Sequence, residues 1–209
     1  MSWYKWFEEG IDIKSKEKIF AIIFGILGLI FVLWLSGLFG LWINGISYIS
    51  NNVEGYFNNA YPVEGGYVVE LDLSDLESNE GKTLYDDGEN QIYVSRVFVH
   101  NKSDYQVSFR SSGNYSLSGA TLVSGIEHAY TKNGFTSLFH AEAKATYRGK
   151  TFALSPSGSS GLNYRDGDEF GFYLFPTGNE ININLVEESI VEVTITNLHV
   201  NLWARKVLR

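Results

Sequence analysis

The sequence predicts an all-β extracytoplasmic domain, an antiparallel β-sandwich or jelly-roll-like fold, behind one N-terminal transmembrane α-helix. Three observations carry this expectation. An uncharged run extends from Ile19 to Val53, and within it residues 19–43 are apolar, relieved only by Ala21, Ser36 and a few glycines. From Tyr67 onward apolar residues recur at every second position, the period of a half-buried strand. Clusters of Gly, Asn, Asp, Ser or Pro then punctuate the chain about every ten to fifteen residues, as short antiparallel strands require.

Residues 1–18 place Trp3, Phe7 and Ile11 at helical spacing, with Trp6 beside them. Aromatic rings with a polar edge favour the headgroup level, so this segment reads as an interfacial helix on the cytoplasmic face. About 20 apolar residues span a hydrocarbon core as a helix, and residues 19–43 supply them. A cleaved signal peptide has an apolar region of only about 7–15 residues followed by small residues at the cut. No such site follows this longer run, which favours a signal-anchor. Lys5, Lys14, Lys16 and Lys18 precede the run, and the next basic residue is Lys82. Basic residues close to the membrane stay inside, so the N-terminus is expected in the cytoplasm and the remainder outside the plasma membrane. Ala21, Gly25 and Gly28 share one helical face, and Ser36 with Gly40 forms a second small-xxx-small pair. In lipid such residues let helix backbones approach closely.

Residues 44–61 keep a weak helical pattern through Ile46, Ile49, Val53 and Phe57, interrupted by asparagines and Gly55. They read as a helical stalk, and Pro62 with Gly65-Gly66 marks the start of a domain over 62–209. Strands are expected at 67–73, 92–100, 105–110, 115–123, 138–147, 151–154, 169–175, 180–186 and 190–203. Asn133-Gly134 and Asp166-Gly167 are turn signals, since glycine after Asn or Asp supplies the positive φ of a primed turn. In the last strand Val191, Val193 and Ile195 share one face and Leu198, Val200 and Leu202 the other. The phase slips at Thr196-Asn197, the mark of a bulge or of a strand passing between sheets.

The chain has no cysteine, which excludes disulfides, thiolate metal sites and a thiol nucleophile. Residues 1–18 hold equal numbers of acidic and basic groups, so the formal charge of −8 belongs to the part beyond the span. An acidic domain with no basic stripe is repelled by phosphate backbones, and nucleic acid is not an expected partner.

Asp75, Glu77, Asn79 and Asp86 occupy positions 1, 3, 5 and 12 of a calcium-loop spacing. Glycine stands at position 7 rather than 6, and Asp rather than Glu closes the loop, so a solvated acidic loop is the competing reading. Asp166, Asp168 and Glu169 raise the same question at a turn. His100, His128, His140 and His199 form no H-x-H or HExxH spacing and read as isolated histidines. Residues 155–161, Ser-Pro-Ser-Gly-Ser-Ser-Gly, match neither a nucleophile elbow nor a phosphate loop and read as a flexible linker. Asn101 and Asn114 begin N-glycosylation sequons. Tyr85, Tyr93, Tyr115, Tyr130, Tyr147, Tyr164 and Tyr173 fit either half-buried sheet positions or a sugar-stacking platform.

The layout of cytoplasmic stub, anchor, stalk and external β domain resembles that of the accessory stator subunits of archaeal motility filaments. The resemblance lies in layout alone and carries over no residue. A pilin-like subunit shares the apolar N-terminal helix, although Lys14, Lys16, Glu17 and Lys18 stand directly before Ile19 here. With no catalytic or cofactor motif, the expectation is a non-enzymatic structural or adhesion component that binds other surface or membrane proteins, itself included. A carbohydrate- or cell-wall-binding module is the alternative, and a hydrolase with its site on the loops of the β domain is a third.

Overall fold

The computed structural model describes residues 13–100, 104–131, 134–175 and 183–206, with side chains left out at 13–16, 131, 134 and 135. It divides into two compact units, Met1–Trp42 and Ile43–Arg209.

In the first unit, helix α1 runs Ile13–Leu35. At about 1.5 Å per residue it is long enough for a 30 Å hydrocarbon core. Its large apolar side chains are exposed, Phe20 at 62 % and Phe24 at 71 %. Such a surface has no place in water, and the helix is consistent with a signal sequence or a single-pass anchor. The uninterrupted helix expected over 19–43 is corrected at Ser36-Gly37. Gly37 takes φ 80°, and the Ser36 hydroxyl donates to the Leu33 carbonyl at 2.9 Å, ending α1 before α2 begins at Leu38–Asn44. Ser36 and Gly40 therefore do not lie on one continuous helical face.

The second unit is mostly β. It opens with a short helix, α3 (Ile46–Ser50), whose Ile46 and Ile49 are fully buried. Among the described residues fifteen strands follow: β1 (Tyr56–Val63), β2 (Tyr67–Asp72), β3 (Thr83–Asp86), β4 (Gln91–His100) and β5 (Asp104–Ser112), then β6 (Asn114–Ser116), β7 (Gly119–Ser124), β8 (Ile126–Thr131), β9 (Gly134–Phe139) and β10 (Glu142–Tyr147), and finally β11 (Lys150–Ala153), β12 (Ser155–Ser159), β13 (Glu169–Tyr173), β14 (Ile190–Thr196) and β15 (Leu198–Arg205). They pair antiparallel in four sheets, ordered β1-β15-β7-β6, β11-β10-β14-β2, β12-β13-β5-β4-β3 and β8-β9.

Alternation explains how the core forms. In β14, Val191, Val193 and Ile195 are buried while Glu192 is exposed, and β10 buries Ala143, Ala145 and Tyr147 in the same way. From the five-stranded sheet, Val94, Val107, Phe109, Phe170 and Phe172 join the same cluster. Each fully buried apolar side chain contributes about 1.5–3 kcal/mol, which holds these two sheets together without cross-links.

The phase slip in the last strand appears as expected. β14 ends at Thr196, Asn197 takes φ 58°, and β15 continues in a different sheet. Other expectations change. The helical pattern of 44–61 holds only for α3, because 56–63 pairs along its length with β15, Phe57 opposite Ala204 and Tyr61 opposite Val200. Residues 155–159 form an edge strand rather than a linker, with Gly158 opposite Gly171. A Cβ on Gly171 would meet Ser157 Oγ and the Val107 carbonyl at 2.8 Å, so the missing side chain permits this approach. The strands expected at 115–123 and 138–147 are each broken in two, and β8 was not expected. Of 180–186, residues 180–182 lie outside the described residues. The rest is a turn in which the Asn184 carbonyl accepts the Glu187 and Glu188 amides.

Candidate functional site

On the outward face of the five-stranded sheet, three cross-strand rows run from β4 across β5 to β13. Tyr93, Arg110 and Glu169 are directly opposite one another on β4, β5 and β13. Next come Arg96, Ser108, Gly171 and Gly158, and beyond them Phe98, Gln106, Tyr173 and Ser155. The middle row is small at its centre and the outer rows are large, so the face is a trough between two ridges that both carry aromatic rings.

A bulge at Ser95 sets this register, since β4 slips between Val94 and Arg96. Tyr164, from the loop before β13, stacks on Arg110, whose guanidinium carbon is 4.0 Å from the ring centroid. The Tyr164 hydroxyl donates to Glu169 Oε2 at 2.8 Å, and this bond, with burial second, raises its pKa. Arg110 Nη2 donates to Asp166 Oδ1 at 2.6 Å, while Asp166 Oδ2 accepts the Ser112 hydroxyl at 2.7 Å. Burial pushes the Asp166 pKa up, but these two donors outweigh it and hold the group below its ordinary value. A depression of about 390 Å³ lies against Tyr93, Ser95, Arg96, Arg110, Tyr164 and Glu169. A second, about 270 Å³, shares Glu169 and continues over Ser108, Ser157 and Gly171. Ser95 Oγ and Arg110 Nε are buried here without a hydrogen-bond partner among the described residues. Such donors are costly to leave unmet.

Behind this sheet, Asp168 and His128 are wholly buried and 2.6 Å apart, Nε2 to Oδ2. Ser124 donates its hydroxyl to both Asp168 oxygens at 2.9 and 2.7 Å, and Ser137 Oγ lies 3.1 Å from His128 Nδ1. Asn201 accepts the His128 amide at 2.7 Å. The network joins β7, β8, β9, β15 and the loop before β13.

Of the suggested calcium ligands Asp75, Glu77, Asn79 and Asp86, Asn79 is committed to partners within the chain. Asn79 is buried, and its amide donates to the carbonyls of Asp72, Asp75 and Leu76. Its oxygen accepts the Asp72 amide and the Lys82 ammonium at 2.9 Å, a place where a second cation is opposed. Asp166, Asp168 and Glu169 likewise face three different sets of partners. Gly167 does not adopt the positive φ of a primed turn. It is small because a Cβ would stand 2.0 Å from the Ser111 carbonyl. The Asn133-Gly134 signal falls at a hairpin in which Thr131 opposes Gly134, with 132–133 outside the described residues.

The histidines are not all isolated. His100 packs edge-on against Phe98. His140 and His199 stack with centroids 4.3 Å apart, and His140 Nε2 lies 2.8 Å from Glu127 Oε2. Sequence spacing misses this group because its members come from three elements. Asn101 lies outside the described residues, whereas Asn114 is exposed on β6. Above Ala21, Gly25 and Gly28 the α1 surface is exposed, and a Cβ at either glycine would meet nothing within 4 Å. Of the tyrosines, Tyr147 is buried, with its hydroxyl donating to the Glu188 carbonyl at 2.9 Å, whereas Tyr93, Tyr164 and Tyr173 line the trough face. Comparison with protein-family models, curated proteins and solved structures found no match to this chain.

Proposed function

We propose that this protein is a single-pass, membrane-anchored adhesion component, its N-terminus cytoplasmic and its β domain outside the plasma membrane, acting by recognition rather than catalysis. The domain is read as a β-sandwich, supported by the shared core of the β11-β10-β14-β2 and β12-β13-β5-β4-β3 sheets. The observation that carries the functional reading is the trough: small residues on its floor, aromatic rings on both ridges, and Arg96, Arg110, Gln106 and Glu169 as hydrogen-bonding groups. An extended, hydroxyl-rich chain crossing the strands matches it, because sugar rings stack on aromatic faces while their hydroxyls meet charged and amide groups. A surface glycan is therefore the favoured ligand.

The test is binding of the full chain in detergent to a panel of soluble cell-surface polysaccharides. Replacing both Tyr93 and Arg96 by Ala is expected to weaken the best ligand on the order of tenfold or more, about 1.4 kcal/mol. A ligand indifferent to both substitutions places recognition elsewhere. If no polysaccharide binds, while a photo-crosslinker at Arg96 captures a defined surface protein, the partner is a protein.

Assembly within the membrane is the second reading, and the open surface at Gly25 and Gly28 favours it. Under that reading the bilayer and a second membrane helix, from this protein or another, are the partners.

A further inference from the structure

We propose that Glu127, His140 and His199 bind a divalent transition-metal ion of the zinc class, leaving one coordination position for a donor from outside the chain. One ligand atom from each residue lies within 4.8 Å of the other two. A tetrahedral zinc site with ligands at about 2.0–2.2 Å needs donors roughly 3.3 Å apart, which requires the stacked His140 and His199 rings, 22° from parallel, to turn about their side-chain bonds until both ring planes meet the ion. His140 and Glu127 already stand at 2.8 Å. All three residues are half-buried, so an ion can enter without the domain opening.

His199 has the outer hydrogen bond typical of a metal-binding histidine. His199 Nδ1–H donates to the Asn197 carbonyl at 3.1 Å, which fixes the ring and leaves Nε2 to ligate. That carbonyl is aimed by the left-handed turn at Asn197, φ 58°. The backbone of His140 is equally constrained, because its amide and that of Ala141 both donate to the Gly125 carbonyl at 3.0 Å. Gly125 itself has no room for a side chain: a Cβ would stand 2.8 Å from Ala141 Cβ and the Phe170 ring. Glu127 is on β8, directly opposite Leu138 of β9. The three donors thus come from a hairpin strand, the β9–β10 joint and β15, and an ion would clamp these elements together.

The donor set selects the metal. Two imidazoles and one carboxylate suit zinc and its first-row neighbours, whereas calcium and magnesium prefer all-oxygen sites. Three protein donors fall one short of a closed tetrahedral structural site, so water or an external ligand completes the shell. This site is separate from the trough and does not depend on the glycan reading.

The experiment uses the full chain in detergent, stripped with a chelator and titrated with zinc by calorimetry and with cobalt(II) by visible absorption. One zinc per chain and a ligand-field spectrum are expected. His140→Ala and His199→Ala should each weaken zinc binding on the order of 100-fold and abolish the cobalt bands, while His100→Ala leaves both unchanged. Cobalt-induced broadening of the His140 and His199 ring protons reads the same site in the unsubstituted protein, independent of whether a variant folds. No saturable binding by the unsubstituted chain, or broadening confined to other histidines, overturns the proposal.

Discussion

Asp166 and Asp168 stand two residues apart and do opposite work. Asp166 is partly exposed and holds Arg110 under Tyr164, shaping one ridge of the trough. Its folded pKa lies below the ordinary aspartate value of about 3.9. A depressed carboxyl contributes stability that is full above the unfolded pKa and is lost as pH falls through the folded one. The melting temperature of Asp166→Asn should therefore trail the parent at pH 7, and the gap should close below about pH 4. A gap of constant size down to pH 3 would show that shape, not charge, sets the contribution. Asp168 is wholly buried against His128 and Ser124. Asp168→Ala removes the acceptor that His128 and Ser124 share, and a buried polar group that loses its hydrogen bond costs about 1–3 kcal/mol. Chemical denaturation should show that loss, and a change under 1 kcal/mol would mean the network relaxes around the vacancy. Tyr85 is a third group set by its neighbours: burial, then its bond to Asp87 at 2.9 Å, pushes its pKa up to about 12.

Among the elements, those with strict alternation were legible in the sequence. β2, β4, β5, β10 and β14 bury every second residue over part of their length, and the slip at Asn197 was visible as a change of face. β1 and β12 were not legible, and the reason is physical. Asn58, Asn59 and Pro62 in β1, and the serines and Gly158 in β12, have poor strand propensity. Both are edge strands, where a single ladder and a partner's tolerance suffice. The candidate sites were still less legible. The trough depends on the bulge at Ser95, and the Glu127–His140–His199 group on topology, neither of which residue spacing encodes. Two substitutions test how elements are joined. Gly45 has φ 56°, and a Cβ there would stand 1.7 Å from the Arg165 carbonyl, which also accepts the Ile46 amide at 2.8 Å. Gly45→Ala should therefore undock α3 and lower the melting temperature, whereas Gly88→Ala, in open space at a comparable φ, bears only the backbone strain. At Asn197 the left-handed backbone costs roughly 1–2 kcal/mol for most residues and is tolerated by Asn. Asn197→Val should lose about that much, and Asn197→Gly much less. Equal losses would mean that the Asn side chain, not the backbone, holds the crossing.

For the whole molecule, the proposed single-pass anchor raises the question of which side of the membrane carries the β domain. The two units differ in what solvent they need: α1 exposes apolar side chains along its length, while the second unit has its own buried core. Orientation then rests on charge near the apolar run. Four lysines lie before it, the next basic residue is Lys82, and the acidic excess lies beyond. Short basic flanks resist translocation, while long domains cross largely regardless of their charge, so a net charge of −8 does not oppose export. A membrane-impermeant amine reagent applied to intact cells reads the outcome through lysines of known exposure. Lys144 on β10 and Lys150 on β11 are exposed and should be labelled, whereas the lysines at 5, 14, 16 and 18 should react only after the cells are opened. Replacing Lys14, Lys16 and Lys18 by Gln, with lysines introduced at Asn51 and Asn52, should invert or mix the pattern if flanking charge decides. Labelling of Lys144 only in opened cells would place the domain inside. Retained external labelling in the charge-swapped chain would mean that folding or another factor outweighs the lysines, leaving the external placement intact and its electrostatic cause refuted.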